Sequence, residues 1–180
     1  MRHFWSAGYA ASSMDTLVKA TGVSRHGIYS DVGGKRELYL LGFAAYQAET
    51  VTPAFARVEQ EDASLADVAD YFETQIALAE SIGLPGPGCL VANAMTETAP
   101  HDPDVAARVA LHNARLKAGF RNVLSNEAPT LDDTDRDALA DFLVVSTQGL
   151  WSMSRVVSDA APLRRHAATL LSLLETRLAP

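Results

Sequence analysis

Apolar side chains recur at three- and four-residue intervals along most of this chain, and they do not alternate with polar ones over any sustained run. That period belongs to helices with one buried stripe, not to strands. Met14, Leu17 and Val18 make a first short stripe. Leu38, Leu41, Ala45, Ala48 and Phe55 predict a long helix from Lys35 to about Arg57. Leu65, Val68, Ala69, Phe72, Ile76 and Ala79 predict another, and Pro85-Gly86-Pro87-Gly88 is a hard break after it. Cys89 to Thr98 reads as a short helix closed by Pro100. Asp102-Pro103 opens the next, with proline at the first helical position, where its missing N–H costs nothing. That helix carries Val105, Val109, His112, Leu116, Phe120 and Val123, and Pro129 ends the segment. Leu139, Phe142, Leu143, Ser146, Leu150, Met153 and Val157 mark a long helix, and Leu163, Ala167, Leu170, Leu171, Leu174 and Leu178 the last. The fold class expected is all-α, with about nine helices and a short first one.

Polar punctuation is most telling near the N-terminus. Ser12 is expected to cap a helix, with Asp15 completing a capping-box pattern. Gly22 ends that helix, because glycine enters the left-handed region without steric cost. Ser24 caps a second short helix, Arg25 to Ser30, and Gly33-Gly34 ends it before Lys35 opens the third. Two short helices joined by a tight glycine turn form a helix-turn-helix, whose second helix can enter a DNA major groove.

The motif is more specific than this geometry alone. Phe4, Gly8-Tyr9, Ser12-Ser13-Met14, Leu17, Gly22-Val23-Ser24, Ile28-Tyr29, Gly33 and Lys35-Arg36-Glu37-Leu38-Tyr39 resemble the DNA-binding domain of the tetracycline-repressor (TetR) family. The resemblance implies a helix-turn-helix DNA-binding domain over residues 1–46, its first helix truncated to Met1–Ser6. It implies a ligand-binding and dimerisation domain over residues 47–180. Asp31 and Val32 stand where the family often has histidine and phenylalanine, and Gly34 where serine or asparagine is common. Asp31 is expected to repel DNA phosphates.

Charge is divided the same way. The net charge is −7, the wrong sign for a general nucleic-acid binder. Residues 1–46 nevertheless carry five Lys/Arg against three Asp/Glu, while residues 47–180 carry ten against nineteen. That asymmetry fits a small DNA-reading head on an acidic body. With 48% hydrophobic residues, the chain can bury a sizeable core. A single cysteine, Cys89, excludes an internal disulfide, and no signal peptide or long apolar run is read, so a cytoplasmic location is expected.

Bases are read by side chains on the recognition helix, and phosphates by hydroxyls, lysines and helix N-termini. Arg25, His26 and Gly27 sit at the start of that helix, and Arg25 is the expected base contact. Ser13, Ser24, Tyr29 and Lys35 are the expected phosphate contacts. The resemblance further implies a small-molecule inducer held among the helices of the body. Phe72, Gln75, Asn93, His112, Gln148 and Trp151 are the polar and aromatic groups on apolar stripes that could line such a site, which suits a hydrophobic or aromatic ligand. The reading is a homodimeric, ligand-responsive regulator, most simply a repressor of a near-palindromic operator. Its dimer is expected to form through Leu139, Leu143, Leu150, Met153, Leu163, Leu170, Leu171, Leu174 and Leu178 of the last two helices.

Two alternatives stand beside it. One is a TetR-like small-molecule-binding protein with impaired DNA binding, favoured by Asp31 and the short first helix. The other is a redox or electrophile sensor based on Cys89, whose place at a helix start favours thiolate. Enzymatic readings are weaker. Asp133, Asp135 and Asp137 alternate as in a calcium loop but lack the glycine and final glutamate, and His101, Asp102 and Asp104 fit helix capping better than metal binding. Pro85-Gly86-Pro87-Gly88 lacks the lysine of a phosphate loop, so no cofactor is expected.

Overall fold

The computed structural model describes residues 1–179, which form nine α-helical segments and one short 3-10 turn (Ala99–His101), with no strand among the described residues. In the head, α1 (Arg2–Ala7), α2 (Met14–Thr21) and α3 (Arg25–Asp31) are short. Helix α4 (Lys35–Tyr46) runs on through one π-helical turn (Gln47–Val51) into a last α-helical turn (Thr52–Phe55). The body adds α5 (Leu65–Ile82), α6 (Leu90–Glu97), α7 (Pro103–Glu127), α8 (Asp133–Met153) and α9 (Ala161–Leu178).

Local chemistry explains most boundaries. Ser24 caps α3, its Oγ accepting from the Gly27 amide at 3.0 Å. Gly22 takes φ 71° and its N–H returns to the Val18 carbonyl, which turns the chain from α2 into α3. Ser64 and Asp67 form a reciprocal capping box on α5, and Asp102 and Asp132 cap α7 and α8. One expected cap is displaced. Ser13, not Ser12, caps α2 by accepting from the Thr16 amide at 3.1 Å. Ser12 is fully buried and donates back to the Gly8 carbonyl, which closes the turn between α1 and α2.

The core is continuous from head to body. Phe4, Leu17, Ile28, Tyr39 and Phe43 fill the head, and Phe55, Phe72, Ile76, Leu116, Phe120, Leu143, Leu163 and Leu174 the body. Several leucines expected at a dimer interface belong to this core instead. Leu143, Leu150, Leu163, Leu170 and Leu174 are buried against their own chain, because α8 and α9 pack on α7 and α5. Of the expected set Met153 stays outward, and Phe142 and Val145 on α8, Val156 just after it and Leu173 on α9 are exposed as well.

Candidate functional site

Helix α3, the expected recognition helix, turns its first residues to solvent. Ile28 is its buried anchor, whereas Arg25, His26, Tyr29 and Ser30 are exposed. Ser24 and Ser13 are exposed too, so each hydroxyl caps a helix from an accessible position. Arg25 is not loose: its guanidinium donates to Asp15 of α2 at 2.7 Å, which lays it along the outer surface of the helix-turn-helix. Lys35 places its ammonium 4.2 Å from the centre of the Tyr9 ring, a cation–π contact at the start of α4. Asp31 is exposed at the end of α3 and accepts from the Ser30 hydroxyl at 2.7 Å.

The head is joined to the body by polar contacts that local patterns did not reveal. The Glu97 carboxylate at the end of α6 accepts from the Tyr9 and Ala10 amides at 3.0 and 2.7 Å. Arg36 of α4 donates to Asp102 through two nitrogens, at 2.7 and 2.9 Å, and to Asp104 at 2.7 Å. Arg36 holds the Asp102 carboxyl below its usual range. Tyr39 shares a hydrogen bond with Thr98 at 3.2 Å. Trp5 of α1 donates from its indole to the Gly88 carbonyl at 2.8 Å.

Between α4, α5, α7 and α8 lies an inner cavity of about 80 Å³. Trp5, Tyr46, Tyr71 and Trp151 supply its aromatic wall, and Thr50, Gln75, His112, Thr147 and Ser154 polar groups. An outer groove of about 670 Å³ continues from it between Trp5, Pro53 and Gln75. Of the six side chains expected to line a ligand site, Gln75, His112 and Trp151 meet on this wall. The other three do not. Phe72 is core at 1% exposure. Asn93 binds the Pro87 carbonyl at 2.9 Å and so holds the loop beside the cavity, and Gln148 is turned toward Asn113 at 3.0 Å. Trp5, Tyr46 and Tyr71 were missed because their positions depend on how distant helices meet.

The inner wall is uncharged. Among the described residues, no carboxylate, ammonium or guanidinium lines it. Burial pushes the Tyr46 hydroxyl well up and the Tyr71 hydroxyl up. Burial, with Arg115 adding to it, lowers His112 to about 4. The Gln47 amide nitrogen lies 2.9 Å from His112 Nδ1, and Arg115 donates to the Gln47 oxygen at 3.3 Å. That arrangement makes Nδ1 an acceptor and assigns the proton to Nε2. Cys89 overturns one expectation. It does begin α6, but it is buried, and desolvation raises its thiol despite the nearby backbone amides. The raised thiol runs against the thiolate expected from its place at a helix start.

A family model described as tetracyclin repressor-like, C-terminal domain, matches residues 64–170. This match spans more than half of the chain, which therefore belongs to the TetR family of helix-turn-helix transcriptional regulators. Among its relatives is an uncharacterized HTH-type transcriptional regulator, YezE, of Bacillus subtilis (strain 168), 27% identical over 177 residues that cover 96% of this chain and 90% of the relative. The HTH-type transcriptional repressor ComR of Escherichia coli (strain K12) is 27% identical over 179 residues, 96% of this chain and 84% of that protein. A TetR transcriptional regulator from Chloroflexus aurantiacus J-10-fl has the same fold, with a TM-score of 0.78 at 23% identity over 95% of this chain and 87% of that one.

Proposed function

We propose that this protein is a homodimeric repressor that leaves a near-palindromic operator when a small, neutral, hydrophobic or aromatic molecule enters the body. The observation that carries the reading is the joint. A recognition helix with exposed polar residues is tied, through Trp5 and Glu97, to the helices around an uncharged aromatic cavity. The name of ComR, a transcriptional repressor, supports the sign of the response.

Residues 1–46 act as the DNA-reading head, with Arg25 reading a base beside His26 at the exposed start of α3, Gly27 letting the backbone approach closely, and Ser13, Ser24, Tyr29 and Lys35 positioning the head on phosphates. The exposed apolar line of Phe142, Val145, Met153, Val156 and Leu173 supports pairing of two bodies about a twofold axis. A ligand without formal charge suits the wall, since a buried ion with no counter-charge is costly. The test is a mobility shift with a duplex selected from randomised DNA. Binding should weaken with salt and be reversed by neutral aromatic molecules; salt-independent binding would argue against a phosphate-tracking head.

A further inference from the structure

The inner cavity and the outer groove share a wall, and one residue in that wall comes from the DNA-reading head. Trp5 stands on α1, a helix of six residues. Its indole N–H donates to the Gly88 carbonyl at 2.8 Å, and its ring meets Tyr46 edge-on with centroids 5.1 Å apart. The inner cavity holds about 80 Å³, whereas an apolar cavity of roughly 150 Å³ is the size that accepts benzene. A larger aromatic molecule therefore extends from the inner cavity into the groove, past Trp5.

The two sides of the latch differ in stiffness. The loop that carries Gly88 is pinned by Gly86 N–H to the Ser154 carbonyl at 2.9 Å, and by Asn93 and Arg155 to the Pro87 carbonyl at 2.9 and 3.0 Å. Gly88 has φ +70°, and a Cβ there would lie 2.9 Å from the Trp151 carbonyl oxygen, so backbone packs directly against it. The Trp5 side chain is half-buried and is held to this loop by a single indole hydrogen bond, so it is the part of the wall able to give.

We propose that Trp5 is both a ligand-contacting residue and the gate of the small-molecule site. A neutral aromatic molecule larger than benzene fills the inner cavity and the adjoining groove together, displaces the Trp5 indole from Gly88, and moves α1 of the head in the same event. The strain falls next on the Tyr9 and Ala10 amides, four and five residues along, where Glu97 holds the head turn. This rests on the ligand site of the proposed function and names how the head senses its occupation.

The test uses the full chain and N-phenyl-1-naphthylamine, a neutral aromatic whose emission rises in apolar surroundings. Trp5→Phe keeps a ring on Tyr46 but removes the indole N–H. It should bind the probe about three- to tenfold more tightly than the unaltered chain, the fold-change that corresponds to one lost hydrogen bond. In the unaltered chain, saturation with the probe should speed hydrogen exchange at the Tyr9 and Ala10 amides. Equal affinity for both proteins, with unchanged exchange at those amides, overturns the gate while leaving the cavity as a ligand site. Absence of probe binding to both proteins rejects the ligand site itself, and the gate with it.

Discussion

At the scale of single residues, two side chains give the account its sharpest tests. Arg25 is held by Asp15 in an exposed pair, which contributes little to stability but limits where the guanidinium points. Arg25→Ala should relax base preference at one position in each half-site, at a cost of about 1–3 kcal/mol for the lost bidentate contact. A randomised-site selection returning the same motif for both proteins would remove Arg25 from base reading. His112 makes a statement about stability. Burial lowers it to about 4, while the unfolded chain titrates near 6.5. Between those values the unfolded state binds more protons, so stability rises with pH. The contribution is complete above 6.5, is lost as pH falls toward 4, and does not change further below that. The shift corresponds to about 3 kcal/mol at most. His112→Gln should flatten the urea-unfolding difference between about pH 7 and about pH 4.5; an unchanged difference would assign the slope to the carboxylates.

At the scale of elements, the joint between head and body depends on α6. Its N-terminus lies beside the cavity and its C-terminal Glu97 satisfies two amides of the head turn. Glu97→Gln should weaken those charge-assisted bonds, lower the melting temperature and speed exchange at Tyr9 and Ala10, at a cost of about 1–2 kcal/mol. Unchanged exchange there would mean that the turn is held from within the head. The helices themselves were largely legible in the sequence, because caps and stripes are local. Gly22, Ser24 and Asp102 end or begin helices as their chemistry dictates. The slip from Ser12 to Ser13 arose because adjacent serines offer the same hydroxyl, and only tertiary burial of Ser12 decides between them. The cavity was half legible. Gln75, His112 and Trp151 stood out as polar or aromatic groups on apolar stripes. Trp5 could not stand out, since the contact that makes it a wall spans 83 residues of chain. Which leucines of α8 and α9 face inward was hidden for the same reason: period reveals a stripe, not its partner.

At the scale of the whole molecule, the proposed dimer rests on the outward apolar residues of α8 and α9. Val145 is 70% exposed at the middle of that line, more than a solitary body gains from. Val145→Asp should convert a dimer into a 19.3 kDa species by sedimentation, with the helical content retained. An unaltered chain that already sediments at that mass at all concentrations would remove the dimer. In such a dimer the two heads act together, and a ligand can shift DNA affinity only through a difference in its own affinity for the two states. The most direct measurement is therefore reciprocal: the affinity of N-phenyl-1-naphthylamine for the free protein and for the protein saturated with a selected operator duplex. The account predicts that operator weakens probe binding by the same factor by which the probe weakens operator binding, on the order of 5–150-fold. Equal probe affinity with and without operator would contradict it, because cavity and head would then be uncoupled.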